Sequence, residues 1–539
     1  MELTGPFPKP KDYDTLKDYK IPTSTTNGIE RLTEFVKYIA SKINVKNRYT
    51  TEQLKEHTEY VEKFVKDFCI DFARHTPKGD LSNEGKPNPI LESNSIIRRG
   101  SSYEGTKILS PSEYDFIPIF AWSFDAAISV EKVGKRCKLA GKGYGFINIK
   151  HGDLHQMLPP ATLTKNQTDN RSISQSQIIS SALQHLPLTG LNQLLVPTGK
   201  IVEDQPGMSG SNRSSQISSS SETFPQSQPC SSSLNTWVLI ALNKAIDSFL
   251  SDSDRYDYIG QKSHDEDPES PYPQGTISLH EITHGTCVWL RIGAPICTTD
   301  IDLAYAVENM SETQKRCVMV GEWHVDCSNF TCKHKTHWTE SLIHPGLHGD
   351  TIVHTLSTNH HHLFLVLKYI NHLIQTNLKT KTYSSSYSYK MLLHQHQRGC
   401  QNENVGQCLE DIVNQFYTYE KQCIDTIETN TYNYNHLKEV PDINYPKRMI
   451  KLHNFVECAA LLWIMQHVKH TTDTSWWDML LHEDFKPKDF KEGHMLYSLL
   501  DIVQQVDRFK WNNNLKKGSV IDVEFLHEDN TKTVYRWIN

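Results

Sequence analysis

From Asn27 to about His75 apolar residues recur at helical spacing: Phe35, Val36, Ile39, Ala40 and Ile43, then Val61, Phe64, Val65, Phe68 and Phe72. Positions three and four apart share one helix face, so the pattern predicts two helices, or one broken near Asn47. Strand-like patterning follows in Glu113–Phe120, Ala126–Val133, Gly145–Lys150, Thr283–Ile292 and Asp300–Val307. A helix is predicted from Leu234 through Leu250, with a charged loop from there to Pro273. Helical spacing returns in His362–Ile374, Asn404–Gln422, Met449–His467 and Leu496–Val506. The tail alternates in Val520–Phe525 and Lys532–Ile538 around His527-Glu528-Asp529-Asn530, which predicts a terminal hairpin.

Composition changes this picture in one stretch. From about His155 to Ser233 the chain turns to Ser, Gln, Asn, Thr and Pro, with serine runs at Ser218–Ser221 and Ser231–Ser233. It holds too little apolar surface to offset chain entropy, so a disordered insertion within one domain is expected, with an apolar island from Ile178 to Val202. The 539 residues otherwise suffice for two or three domains. A net charge of −7, with 22% charged residues, exerts no global pull on nucleic acid or anionic membrane, so any basic face is local. One candidate face is the first helical region, with Lys37, Lys42, Lys46, Arg48, Lys55, Lys63 and Lys66. These are interleaved with Glu34, Glu52, Glu56, Glu59, Glu62 and Asp67, and a solvated helix face explains them at least as well. A second cluster, Lys132, Lys135, Arg136, Lys138 and Lys142, reads as a binding loop. The 12 cysteines form no disulfide-like framework. The opening MELTGPFPKPKDYDT has no apolar signal core, and the longest mostly apolar run, Phe455–Met465, is too short to span a bilayer. A reduced, cytoplasmic protein with no membrane span is expected.

The chemistry-bearing stretch is Gly100 to Phe120. Arg98-Arg99-Gly100-Ser101-Ser102 reads as a turn whose glycine lets backbone approach an anion and whose serines and N–H groups can bind phosphate oxygens. Thirteen residues after the glycine, Glu113 and Asp115 lie on one face of a strand, roughly 6–7 Å apart, where two acids can share metal ions. A third acid on a later strand, Asp302 or Asp300, completes the set.

Gly-Ser, then Glu-x-Asp, then a later acid, with Tyr103-Glu104-Gly105-Thr106-Lys107-Ile108 and Ser110-Pro111-Ser112-Glu113-Tyr114-Asp115 between, resembles the nucleotidyltransferase family of cyclic GMP-AMP synthase, the cGAS-like receptors and the male-abnormal (Mab twenty-one) proteins. Cys287–Ile292 and Ile301–Glu308 resemble that family's hairpin, and its closing Ala-hydrophobic-Glu matches Ala306-Val307-Glu308, which registers Asp302 as the third carboxylate. The resemblance spans roughly residues 27 to 150 and 234 to 450. It implies an α+β, bilobal nucleotidyltransferase fold of the polymerase-beta-like kind, with a mixed catalytic sheet, an N-terminal helical spine and a helical C-terminal lobe. The implied division is a flexible N-terminus 1–26, a catalytic core 27–330 interrupted by the insertion 155–233, a helical lobe 331–510 and a terminal hairpin 511–539.

The same resemblance implies two Mg2+ (or Mn2+) ions held by Glu113, Asp115 and Asp302, which transfer of a nucleotidyl group calls for. It implies nucleotide contacts from Gly100, Ser101 and Ser341, from Lys368 of Lys368-Tyr369 to triphosphate, and from Ser386 and Tyr387 of Ser386-Tyr387-x-x-Lys390 to a base. The family's arginine after the tryptophan is replaced by Thr339, so base choice is expected to differ. The family's zinc thumb follows a Trp-led helix, which here is expected to begin near Trp338. That segment has His344, His348, His354 and His360-His361-His362 but no cysteine. Cys327, Cys332, His334 and His337 have the spacing of no common zinc finger, so zinc is not expected. The implied activity is synthesis of a cyclic GMP-AMP-like dinucleotide from ATP, GTP or other nucleoside triphosphates. It would be switched on by a ligand such as double-stranded RNA and read by a STING-type receptor in innate antiviral defence. The rivals are a non-catalytic Mab-type nucleotide-binding protein and an enzyme making linear oligonucleotides.

Overall fold

A computed structural model of the chain describes residues 27–75, 78–79, 88–89, 93–120, 128–132, 144–149, 242–263, 272–281, 287–310, 316–323, 336–341, 356–376, 382, 385–425, 439–443, 449–451, 455–471, 474, 476–477, 520–526 and 532–538. Helix α1 (Gly28–Ile43) starts where the Asn27 side chain accepts the Ile29 N–H at 2.9 Å. It stops at the extended residue Asn44, whose own side chain accepts the Lys46 N–H and opens the short α2 (Val45–Arg48). Thr50 and Gln53 then exchange hydrogen bonds, the Gln53 N–H to Thr50 Oγ1 and the Thr50 N–H to Gln53 Oε1, a reciprocal cap that opens α3 (Thr51–His75). The break expected near Asn47 therefore falls on both sides of α2, because asparagine and threonine side chains take over backbone donors at those two points.

After a two-residue ladder, β1 (Lys78–Gly79) with β2 (Asn88–Pro89), come β3 (Ser93–Arg99), the single turn α4 (Gly100–Tyr103), β4 (Glu113–Phe120), β5 (Ile128–Lys132) and β6 (Tyr144–Ile149). The next group is α5 (Leu242–Asp252), β7 (Asp257–Lys262), β8 (Thr276–His280), β9 (Val288–Gly293), β10 (Thr298–Leu303), β11 (Ala306–Met310), β12 (Arg316–Trp323) and β13 (Thr336–Ser341). Among the described residues eleven strands form one mixed sheet, ordered β5-β6-β13-β12-β11-β4-β10-β9-β8-β7, with β3 also paired to β4. Strand β4 lies parallel to β10, with Asp300 opposite Glu113 and Asp302 opposite Asp115. Helices α6 (Thr358–Thr376), α7 (Ser386–Gly399), α8 (Val405–Asp425) and α9 (Phe455–His470) follow, with a small ladder of β14 (Glu439–Pro441) and β15 (Met449–Lys451), and the chain ends in the hairpin β16 (Val520–Leu526) and β17 (Lys532–Ile538).

Two large cores result. In one, α3 and α5 cover the sheet, with Phe68, Phe72, Phe116, Phe120, Leu290 and Trp338 buried together. In the other, α1 packs among α6, α7, α8 and α9, burying Phe35, Ile39, Leu367, Leu393, Phe416 and Trp463. Burying one such side chain contributes about 1.5–3 kcal/mol, so these faces rather than intrinsic propensity hold the helices. The lysines of α1 and α3 lie on the solvent side and pair along their own helices, Lys37 with Glu34, Lys55 with Glu59 and Lys63 with Asp67. That is the solvated-face arrangement, and each such pair contributes little.

Several expectations need correction. Trp338 opens no helix within residues 336–341: it sits in β13, opposite Gly321 of β12 and Gly145 of β6, and is fully buried in the sheet core. Two facing glycines leave room for the indole, and the surrounding threonines favour extended backbone. Strand β7 occupies part of the stretch expected as a charged loop, paired parallel to β8. Asp300–Val307 divides into β10 and β11, which pair with different parts of β4. Met449–Lys451 pairs with β14, so the helix expected from Met449 begins at Phe455. The insertion 155–233, the basic residues 135–142, Cys327, Cys332, His334 and the helix expected at 496–506 lie outside the described residues.

Candidate active site

Alternation along β4 puts Glu113 and Asp115 on one face, and the parallel register with β10 brings Asp302 alongside. One carboxylate oxygen from each of Glu113, Asp115 and Asp302 lies within 4.8 Å of the others. Asp300, the alternative third acid, is turned away to Arg291 of β9, with Arg291 Nε donating to Oδ1 at 2.6 Å and Nη2 to Oδ2 at 3.0 Å. Asp302 is the acid that joins the group.

Gly100 is held against this site by its lack of a side chain. Its φ is +80°, and a Cβ there would lie 1.6 Å from Asp115 Oδ2. The turn is fastened further by Ser102, whose hydroxyl donates to the Glu113 carbonyl at 2.6 Å, and by the Thr106 N–H to the Ser101 carbonyl at 2.9 Å. Gly100 therefore borders Asp115 directly, with Ser101 next to it in the turn. Burial, then the charges of Glu113 and Asp302, push the Asp115 carboxyl up to about 7, against the pull of Lys107. Three converging oxygen donors whose mutual repulsion already favours a bound proton fit a divalent cation.

A cleft of about 550 Å³ is lined by Lys107, Leu109, Ser112, Lys368, Asn371 and Ser386, among others, and Ser112 adjoins Glu113 in the chain. The Lys107 ammonium pairs with Glu113 Oε2 at 2.6 Å and so joins cleft to carboxylates. Lys368, on α6, donates weakly to the Thr106 carbonyl at 3.5 Å; burial and the neighbouring Lys107 charge bring it down to about 8. Ser386 begins α7 at the cleft wall, capped by the Ser385 side chain, which accepts the Ser388 N–H. Tyr387 does not line the cleft; its hydroxyl donates to Asp442 Oδ1 at 2.6 Å. Lys390, one turn on, is buried and paired with Glu104 of the turn that follows α4. Ser341 ends β13 opposite Val318, and Thr339 is buried beside it.

No family model matches the chain, and no curated protein matches it. Among solved structures it is similar to CdnC of E. coli MS115-1, solved with ATP, at 10% identity over 85% of this chain and 98% of that one, with a TM-score of 0.35. It is also similar to a STING-associated CdnE c-di-GMP synthase from Flavobacteriaceae sp., at 11% identity over 93% of this chain and 95% of that one, with a TM-score of 0.32. At such scores the likeness carries no weight, and the chemistry of the site must.

Three contributors escaped the sequence reading. Lys107 stood inside a motif without a role; a lysine six residues ahead of the first acid was the available signal. His57 of α3 is fully buried, its Nε2–H reaching the Pro111 carbonyl at 3.0 Å and its Nδ1 accepting the Ile296 N–H at 3.1 Å. It ties together the loops that lead into β4 and β10, and nothing in the helical pattern marks it. Leu109, at the cleft wall, has a φ of 65°, a left-handed backbone that costs about 1–2 kcal/mol and is held by its N–H to the Ile43 carbonyl at 2.8 Å.

Proposed function

We propose that the chain is a nucleotidyltransferase that joins two nucleoside triphosphates into a cyclic dinucleotide. The observation that carries this reading is the convergence of Glu113, Asp115 and Asp302 from two parallel strands, with Glu113 paired to Lys107 of a cleft that Lys368 also lines. In each of two rounds a ribose hydroxyl attacks an α-phosphorus, the bond to the pyrophosphate oxygen breaks, and the hydroxyl proton passes by way of the Asp302 carboxylate to solvent. Glu113, Asp115 and Asp302 would hold two divalent ions, magnesium or manganese, which would neutralise charge at the α-phosphate and leaving group and ease loss of that proton. Lys368, mostly protonated near neutral pH, binds triphosphate oxygens, and the Gly100–Ser101 turn meets the phosphates beside Asp115. Ser386 borders the nucleotide; Tyr387, whose hydroxyl is held by Asp442 outside the cleft lining, is assigned to a base on the resemblance alone. Ser341 is assigned to the nucleotide site with them. The fold assignment is the bilobal, polymerase-beta-like one, with the sheet as catalytic lobe and α6–α9 as the second lobe. In a cell the enzyme would act in the cytoplasm, be switched on by a ligand such as double-stranded RNA, and signal through a STING-type receptor.

Incubating the purified protein with all four labelled nucleoside triphosphates and magnesium or manganese, with double-stranded RNA, double-stranded DNA or neither, tests this. A phosphatase-resistant dinucleotide that disappears in Asp115→Asn and Asp302→Asn supports a cyclase and identifies its bases and its activator. Ladders of longer products would replace the cyclase by an oligonucleotide-forming enzyme. Nucleotide binding without turnover under every condition would replace it by a binding protein.

A further inference from the structure

Away from the carboxylates, three helices of the second core bring four other ligand atoms together. His360 lies in the first turn of α6, His396 in the last turn of α7, Cys400 at the C-terminal cap of α7, and Cys408 in the first turn of α8. One ligand atom from each lies within 4.8 Å of all the others. The Cys400 and Cys408 sulfurs are 3.5 Å apart, and Cys408 Sγ is 4.0 Å from His360 Nε2. A tetrahedral ion with Zn–S of about 2.3 Å and Zn–N of about 2.0–2.1 Å requires S···S near about 3.8 Å and S···N near about 3.5 Å, so the two contacts lie within about half an ångström of what is needed.

Two further observations point to a ligand rather than to chance proximity. His360 uses its Nδ1 on Ser357 Oγ at 2.7 Å, which orients the ring with Nε2 toward the cluster, the outer contact that metal-binding histidines usually have. His396 Nε2 is buried and has no hydrogen-bond partner. A buried ring nitrogen left without a partner costs about 1–3 kcal/mol, and a metal bond removes that cost. His360 and Cys408 are buried almost completely, which suits a closed structural site.

We propose that His360, His396, Cys400 and Cys408 bind one structural zinc ion. Binding forms two Zn–S and two Zn–N bonds and releases the two thiol protons to solvent, with no change of oxidation state. The ion fastens the start of α6, the end of α7 and the start of α8 to one another. Because α6 carries Lys368 and α7 carries Ser386 and Lys390, it also fixes the spacing of the helices that wall the cleft. These ligands are distinct from Cys327, Cys332, His334 and His337.

The test uses the full chain, purified without chelator and analysed for metal by mass spectrometry. About one zinc per chain is expected, with X-ray absorption at the zinc edge showing two sulfur and two nitrogen neighbours. The double variant Cys400→Ser, Cys408→Ser should retain less than about a tenth of that zinc. His396→Ala, changed at a half-buried position that folding tolerates better, should lose most of it while keeping wild-type helicity by circular dichroism. Cys327→Ser with Cys332→Ser, and separately Asp302→Asn, should keep it in full. A wild-type chain that is folded and zinc-free with a Cys400–Cys408 disulfide overturns the proposal. So does zinc that persists in His396→Ala, or that leaves with Cys327 and Cys332.

Discussion

Two aspartates two residues apart on β10 have opposite assignments, and a substitution at each separates them. Asp302→Asn removes a ligand atom from the trio and should lower turnover by at least about a hundredfold with little change in melting temperature. Asp300→Asn breaks a half-buried bidentate pair with Arg291 and should cost stability, about 1–3 kcal/mol, while turnover at a temperature where both proteins are folded stays within a few-fold of wild type. Equal loss of turnover in both would sink the assignment. At Gly100 any side chain meets Asp115, and the backbone lies at a positive φ. Gly100→Ala should therefore abolish turnover and weaken magnesium binding, read by calorimetry, even where the protein still folds. The pair Glu113 and Asp115 was legible because strand periodicity alone puts them on one face. Asp302 was not legible from local pattern, since its place depends on β10 lying parallel to β4 across an intervening stretch of chain; the family resemblance supplied it. Lys107 and His57 read as an ordinary lysine and an ordinary helix residue, because what distinguishes them is the partner each meets in space.

At the scale of elements, the ion pair between Lys390 of α7 and Glu104 bridges the second core to the turn beside the acids. Both side chains are largely buried, so removing one strands the other: Lys390→Met should destabilise by about 3–5 kcal/mol. Adding Glu104→Gln should recover a large part of that loss, and a double-mutant cycle of chemical denaturation midpoints measures the difference. No recovery would mean that the two side chains act independently. The helices were legible as elements because their apolar faces repeat with the helical period. The strand around Trp338 was misread because the helix was carried over from the family resemblance, while here Trp338 lies opposite two glycines supplied by β6 and β12. Strand β7 alternates half-buried with exposed residues, and its charged composition disguised it as a loop.

For the molecule as a whole, buried titratable groups set opposing slopes of stability against pH. Burial holds His57 and His467 at about 4. Between about 4 and about 6.5 the unfolded chain binds protons at these positions that the folded chain does not, so stability rises with pH across that range. Asp115 acts in reverse: with its carboxyl near 7 the folded chain holds a proton that the unfolded chain has released, so stability falls as pH rises toward 7. Without divalent ions the melting temperature should climb from about pH 4 to about pH 6.5 and then decline slightly to about pH 7.5. Saturating magnesium should remove the decline, and Asp115→Asn should remove it without magnesium. A decline that survives in Asp115→Asn would place its origin elsewhere.

Helix α1 buries its apolar face among helices that include α9, and roughly 400 residues separate Ile43 from Phe455. A ribosome adding about 5–20 residues per second needs on the order of 20–80 s to cover that distance. During this interval Phe35, Ile39 and Ile43 have emerged while part of their partner surface has not yet been made. The earliest of the described helices is thus among the last to be enclosed, and its exposed face is a natural client for chaperones until the later helices arrive.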